Sequence, residues 1–90
     1  MTAMSAKLTF YIPHAQSLKE KRMVSRAVID KTRHRYNASV AEVDTQDVHR
    51  TLTIGVAVVS GKRAHAMNML DEIVRFMEVN AEAELVSVEF

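Results

Sequence analysis

Arg50-Thr-Leu-Thr-Ile-Gly-Val-Ala-Val-Val59 decides the fold. Leu52, Ile54, Val56 and Val58 fall on one side of an extended chain; Thr51, Thr53, Gly55, Ala57 and Val59 fall on the other. A period of two carried by β-branched residues predicts a strand with one face in a core. On its N-terminal side, Thr45–His49 suits a hairpin loop and Ala38–Asp44 predicts the strand it joins. On its C-terminal side, Ser60 and Gly61 break the pattern. A helix then covers Lys62–Val79, because Ala66, Met69, Leu70, Ile73, Phe76 and Met77 recur at spacings of three and four. Asn80–Ala83 is a turn, and Leu85–Phe90 a last strand.

The first third of the chain repeats the logic. Leu8, Phe10 and Ile12 alternate with Lys7, Thr9 and Tyr11, so Met4–Ile12 predicts a strand, which Pro13 ends for want of an N–H. Ser17 and Glu20 form a capping box, which starts a helix at Leu18. That helix runs to Arg35 or Tyr36, and Asn37 stops it. Its apolar stripe, Leu18, Ser25, Val28, Ile29, Thr32 and Tyr36, is thin. Lys21 falls inside the apolar arc; it either snorkels along the helix flank or sets a fixed cation beside the first strand–helix loop, where an anion could bind.

The order β-α-β-β-α-β, with right-handed crossovers, gives a four-stranded antiparallel sheet with both helices on one face. This is the ferredoxin-like α+β fold. Residues 1–90 make one such domain, and Met4 offers a second start that leaves Met1–Ala3 as a flexible tail.

Composition excludes much. The chain is 48% hydrophobic and 26% charged with a net charge of +1, which argues against disorder. With no cysteine there is no disulfide, thiolate metal site or Cys nucleophile. No apolar run is long enough to span a membrane, and the N-terminus lacks the pattern of a secretory signal, so the expected address is the cytoplasm. The only glycines are Gly55 and Gly61, so there is no glycine-rich phosphate loop, and no cofactor is expected. His14, His34, His49 and His65 never occur at the spacing of a helical metal pair.

The net charge hides an asymmetry. His14–Tyr36 carries seven basic and two acidic side chains, a balance of +5; Ala64–Phe90 carries one basic and six acidic, a balance of −5. Lys19, Arg22, Arg26 and Arg33 lie within about 60° of one another on the helical wheel, a stripe that could follow phosphates. Lys21 is the fifth candidate contact. Glu42, Asp44, Asp47 and His49 are the one concentration of hard-metal or acid–base groups; a charged edge strand and a turn-forming Asp are the preferred explanation, with a metal site the weaker candidate. A split βαβ sheet that binds RNA needs aromatic residues on its central strands, and the third strand has none. The open face, with Tyr11, Thr53, Gly55 and Ala57, is small and semi-apolar, which suits pairing with a second copy or another protein.

Three stretches together, Ser17-Leu-Lys-Glu-Lys-Arg22, Val40-Ala-Glu-Val-Asp44 with Gln46-Asp47, and Ile54-Gly-Val-Ala-Val-Val-Ser60, resemble the YlxP-like family of small bacterial proteins, a domain of unknown function. The resemblance runs over essentially the whole chain. It implies a ferredoxin-like fold, and a gene neighbourhood between a translation initiation factor and ribosome-binding factor A, hence a translational context. The chain departs from the family at Val48-His49, where Leu-Trp is usual, and at His14, where a Gly follows the loop Pro. The leading expectation is a non-enzymatic RNA- or ribosome-associated accessory factor, with rRNA or a ribosomal subunit as partner. The alternatives are an interaction or homo-oligomerisation module using the sheet face, and a metal- or small-molecule-responsive enzyme or sensor.

Overall fold

A computed structural model describes residues 1–90. Its elements are β1 (Thr2–Tyr11), α1 (Leu18–Arg35), β2 (Ser39–Glu42), β3 (Thr51–Ser60), α2 (Arg63–Asn80) and β4 (Glu84–Glu89). The strands form one antiparallel sheet in the order β2-β3-β1-β4, which is the expected ferredoxin-like arrangement.

The alternation in β3 has the predicted consequence: Leu52, Ile54, Val56 and Val58 are buried. They meet Ala6, Leu8, Phe10 and Ile12 from β1 and its end, and Ala66, Leu70, Ile73 and Met77 from α2, in a single core. β1 and β3 pair along their whole length, from Thr2 opposite Ser60 to Tyr11 opposite Thr51. Thr2 and Ala3 are therefore strand residues, not the tail expected from the second Met, because Ser60 and Val59 give their backbone a partner.

α1 starts where the capping box places it. Ser17 Oγ accepts from the Glu20 N–H at 3.1 Å. Glu20 Oε2 accepts in return from the Gln16 N–H at 2.8 Å, one residue upstream of the usual position. α1 and α2 meet through Tyr36 and Phe76, whose rings stand edge to face at 5.4 Å. Arg35 lies over both rings, at 5.8 and 6.0 Å from their centroids.

The β2–β3 connection departs most from expectation. β2 ends at Glu42, so the connection runs over residues 43–50 and is longer than a Thr45–His49 loop. The physical cause is Asp44, which takes a left-handed backbone conformation, φ 61°, and turns the chain off the sheet. The last ladder bond before that turn runs from the Val43 N–H to the Thr53 carbonyl, at 2.8 Å. No helix is long and apolar enough to cross a membrane.

Candidate nucleic-acid interface

α1 divides its basic residues between inside and outside. The buried side of the helix is Lys21, Ser25, Val28, Ile29 and Thr32. Lys21 is 0% exposed. Its Nζ lies 2.9 Å from Glu42 Oε2 and donates to the carbonyls of Val48, at 2.6 Å, and Thr45. Ser25 Oγ donates to the other Glu42 oxygen at 3.2 Å. One buried ammonium thus ties α1, β2 and the 43–50 connection together. Removed from water, a charge is tolerated only when such partners surround it. Lys21 is therefore neither a snorkelling side chain nor a cation offered to a ligand, and it leaves the set of candidate phosphate contacts.

The remaining candidates, Lys19, Arg22, Arg26 and Arg33, are exposed. The molecule's ion pairs are Lys7–Asp44, Lys7–Glu89 and Lys21–Glu42, so no exposed cation of α1 has an acidic partner. Asp30, one turn beyond Arg26, makes no ion pair with it. Arg22, Arg26 and Arg33 edge a shallow cleft of about 360 Å³ between α1 and β2, with Ser25, Ile29 and Glu42 also lining it. Arg33 donates to the Val40 carbonyl, which satisfies an outward-facing acceptor on the short edge strand β2.

The acidic candidates separate. Glu42 faces the core side in register with Ile54 and is engaged by Lys21 and Ser25. Asp44 crosses to the other face of the sheet, where its Oδ2 lies 2.9 Å from Lys7 Nζ. The two carboxylates do not share a strand face, because the left-handed turn at Asp44 breaks the alternation. Asp47 and His49 are exposed on the connection, and no group of three such residues is arranged to hold a metal ion.

The open sheet face is also altered by the connection. Thr53 is 3% exposed, because Thr45 folds over it and their hydroxyls lie 3.0 Å apart. At Gly55 a Cβ would sit 3.4 Å from Val43 Cγ1, so that side chain already leans over the glycine. Of the expected interface residues, Tyr11 and Ala57 remain exposed and Thr53 does not. Lys7 occupies the middle of this face between Asp44 and Glu89, the latter at 3.6 Å. Its amino group titrates above the ordinary lysine value, chiefly because it donates a hydrogen bond to Asp44 and feels that carboxylate's charge, with Glu89 adding to it.

These features define a small ferredoxin-like α+β domain whose first helix presents unpaired cations outward and anchors the β2–β3 connection with a buried one. The chain belongs to the family described as "Protein of unknown function (DUF503)", whose model matches residues 4–90. It is similar to a Bacillus subtilis (strain 168) protein described as "Uncharacterized protein YlxP". The two are 31% identical over 70 residues, covering 78% of this chain and 76% of the relative. Sequence reasoning missed the Lys21–Glu42 pair, although one signal for it was present. Lys21 lies in the apolar arc of α1 and Glu42 falls in the core-facing register of β2, and two opposite charges at core positions of adjacent elements are natural partners.

Proposed function

We propose that this chain is a non-enzymatic, cytoplasmic RNA- or ribosome-associated accessory factor that docks on phosphate groups through α1. One observation carries the reading: the exposed cations Lys19, Arg22, Arg26 and Arg33 stand along one side of a helix without a single acidic partner. Unpaired surface cations at close spacing repel one another, a small cost that a polyanion removes while its counterions are released. The translational setting implied by the family resemblance agrees with that chemistry. The test is co-sedimentation of the tagged protein with ribosomal subunits from a lysate, at low and at moderate salt. The expected result is migration with one subunit and release as salt rises. A protein that stays at the top of the gradient at low salt overturns the reading.

A second reading, self-association through the open sheet face, is favoured by a single feature. Val59 and Phe90, exposed by 60% and 64%, lie at the end of that face away from the connection. A sedimentation coefficient that does not change with concentration rules it out.

A further inference from the structure

Resting on the phosphate-docking reading, we infer that the polyanion is base-paired RNA, gripped by its backbone, and not a single strand held by its bases. The cations form a row. Lys19, Arg22, Arg26 and Arg33 are separated by three, four and seven residues, which keeps them on one side of α1 over a length of about 21 Å. The row is straight and borne on a capped, uninterrupted helix, so its spacing is preset before any ligand arrives. A rigid line of charges matches the regular phosphates of a duplex, whereas a flexible strand must be ordered to meet it.

Base recognition is what the surface lacks. Proteins that hold single strands combine cations with aromatic rings on which bases stack. No Phe, Tyr or Trp ring flanks the row, and its one neighbouring imidazole is that of His34. Tyr36 and Phe76 are packed on each other between the helices. Phe10 is in the core, Tyr11 ends β1, and Phe90 follows the end of β4. The Arg35 guanidinium, which could itself stack on a base, already covers Tyr36 and Phe76.

The acids near the row set where phosphates sit. Glu42, which also lines the cleft, is already held by Lys21 and Ser25, so phosphates are left to the exposed cations Lys19, Arg22 and Arg26 and to the Arg33 donors not spent on the Val40 carbonyl. Asp30 lines the same cleft without a cation of its own and opposes the phosphates. Replacing it by Asn must therefore tighten binding, an effect that a merely structural role for α1 does not produce.

The experiment compares a perfectly paired RNA of about 16 base pairs with one of its strands alone, titrated against the full chain at several salt concentrations. The duplex is expected to bind about tenfold or more tightly than the strand. With four phosphates engaged, its affinity is expected to fall about a hundredfold between roughly 50 and 200 mM salt. Arg22→Glu with Arg26→Glu is expected to lower the salt exponent by about 2, and Asp30→Asn to raise affinity. Circular dichroism and thermal unfolding of each variant verify that the fold is kept. Equal or tighter binding of the single strand, still lost on charge reversal, overturns the duplex inference and leaves the phosphate-docking reading standing. No binding to either RNA at low salt, or duplex binding indifferent to the reversal, overturns both.

Discussion

Lys21 and Arg22 are neighbours in the chain and opposites in use. The Lys21 ammonium is sealed from water and holds Glu42 and two carbonyls of the 43–50 connection. The Arg22 guanidinium stands in solvent without an acidic partner. A turn of about 100° separates them, and it decides which charge belongs to the fold and which is available to a ligand. A count of basic residues treats the two alike. The helical phase does not, and that phase is set by the cap at Ser17, whose carbonyl also accepts from the Lys21 N–H at 3.2 Å.

The largest effect is expected where the internal charge is removed. Lys21→Met strands the Glu42 carboxylate against the core and leaves the Thr45 and Val48 carbonyls without their donor. Breaking a buried pair from one side costs about 3–5 kcal/mol, a large part of the stability of a domain this size. Urea unfolding measures the loss, and limited proteolysis should find new cleavage within residues 43–50. The double variant Lys21→Met with Glu42→Met should recover a good part of the loss, since an apolar pair of similar volume leaves no orphaned charge. A single-variant loss below about 1 kcal/mol would mean that the buried pair does not anchor the connection.

A smaller effect is expected at the cap that sets the phase. Ser17→Ala removes the acceptor for the Glu20 N–H and should cost about 1 kcal/mol. Ser17→Asp, which restores an acceptor and adds a negative charge at the helix N-terminus, should recover it. Thermal unfolding of the two variants side by side settles this, and a Ser17→Asp protein no better than Ser17→Ala would show that the cap bond contributes little.

The fold was legible because its local signals agree with one another. The alternation in β3, the capping box at Ser17 and Glu20, and the three-and-four spacing in α2 each point to the same element order. The errors fall where distant segments meet. Thr53 has the periodicity of an exposed residue, yet Thr45 covers it. Asp44 reads as a continuation of β2, yet its left-handed backbone ends the strand and sends its carboxylate to Lys7, 37 residues away in sequence. Nothing local distinguishes an Asp that continues a strand from one that turns it. The candidate cation row was legible from the helical wheel, but removing Lys21 from it required knowing that Glu42 faces inward across the α1–β2 contact.

Lys7 completes the comparison as the intermediate case, a cation with acidic partners but still in water. Asp44 at 2.9 Å and Glu89 at 3.6 Å raise its titration point above the usual 10.5 in the folded protein. The folded state therefore holds the Lys7 proton more tightly than the unfolded chain does. The stabilisation is complete below 10.5 and is lost as pH rises through the higher folded value. Solvent screens the triad, so the effect should be the smallest of the three. The measurement is the difference in urea midpoint between the native chain and Lys7→Met, taken at neutral pH and again above the folded titration point. The native chain should lead at neutral pH, and its lead should shrink at the higher pH and in concentrated salt. A lead that is the same at both pH values would assign the contribution of Lys7 to its aliphatic stem lying on the sheet, and the distinction between a charge in solvent and a charge in the fold would then rest on Lys21 and Arg22 alone.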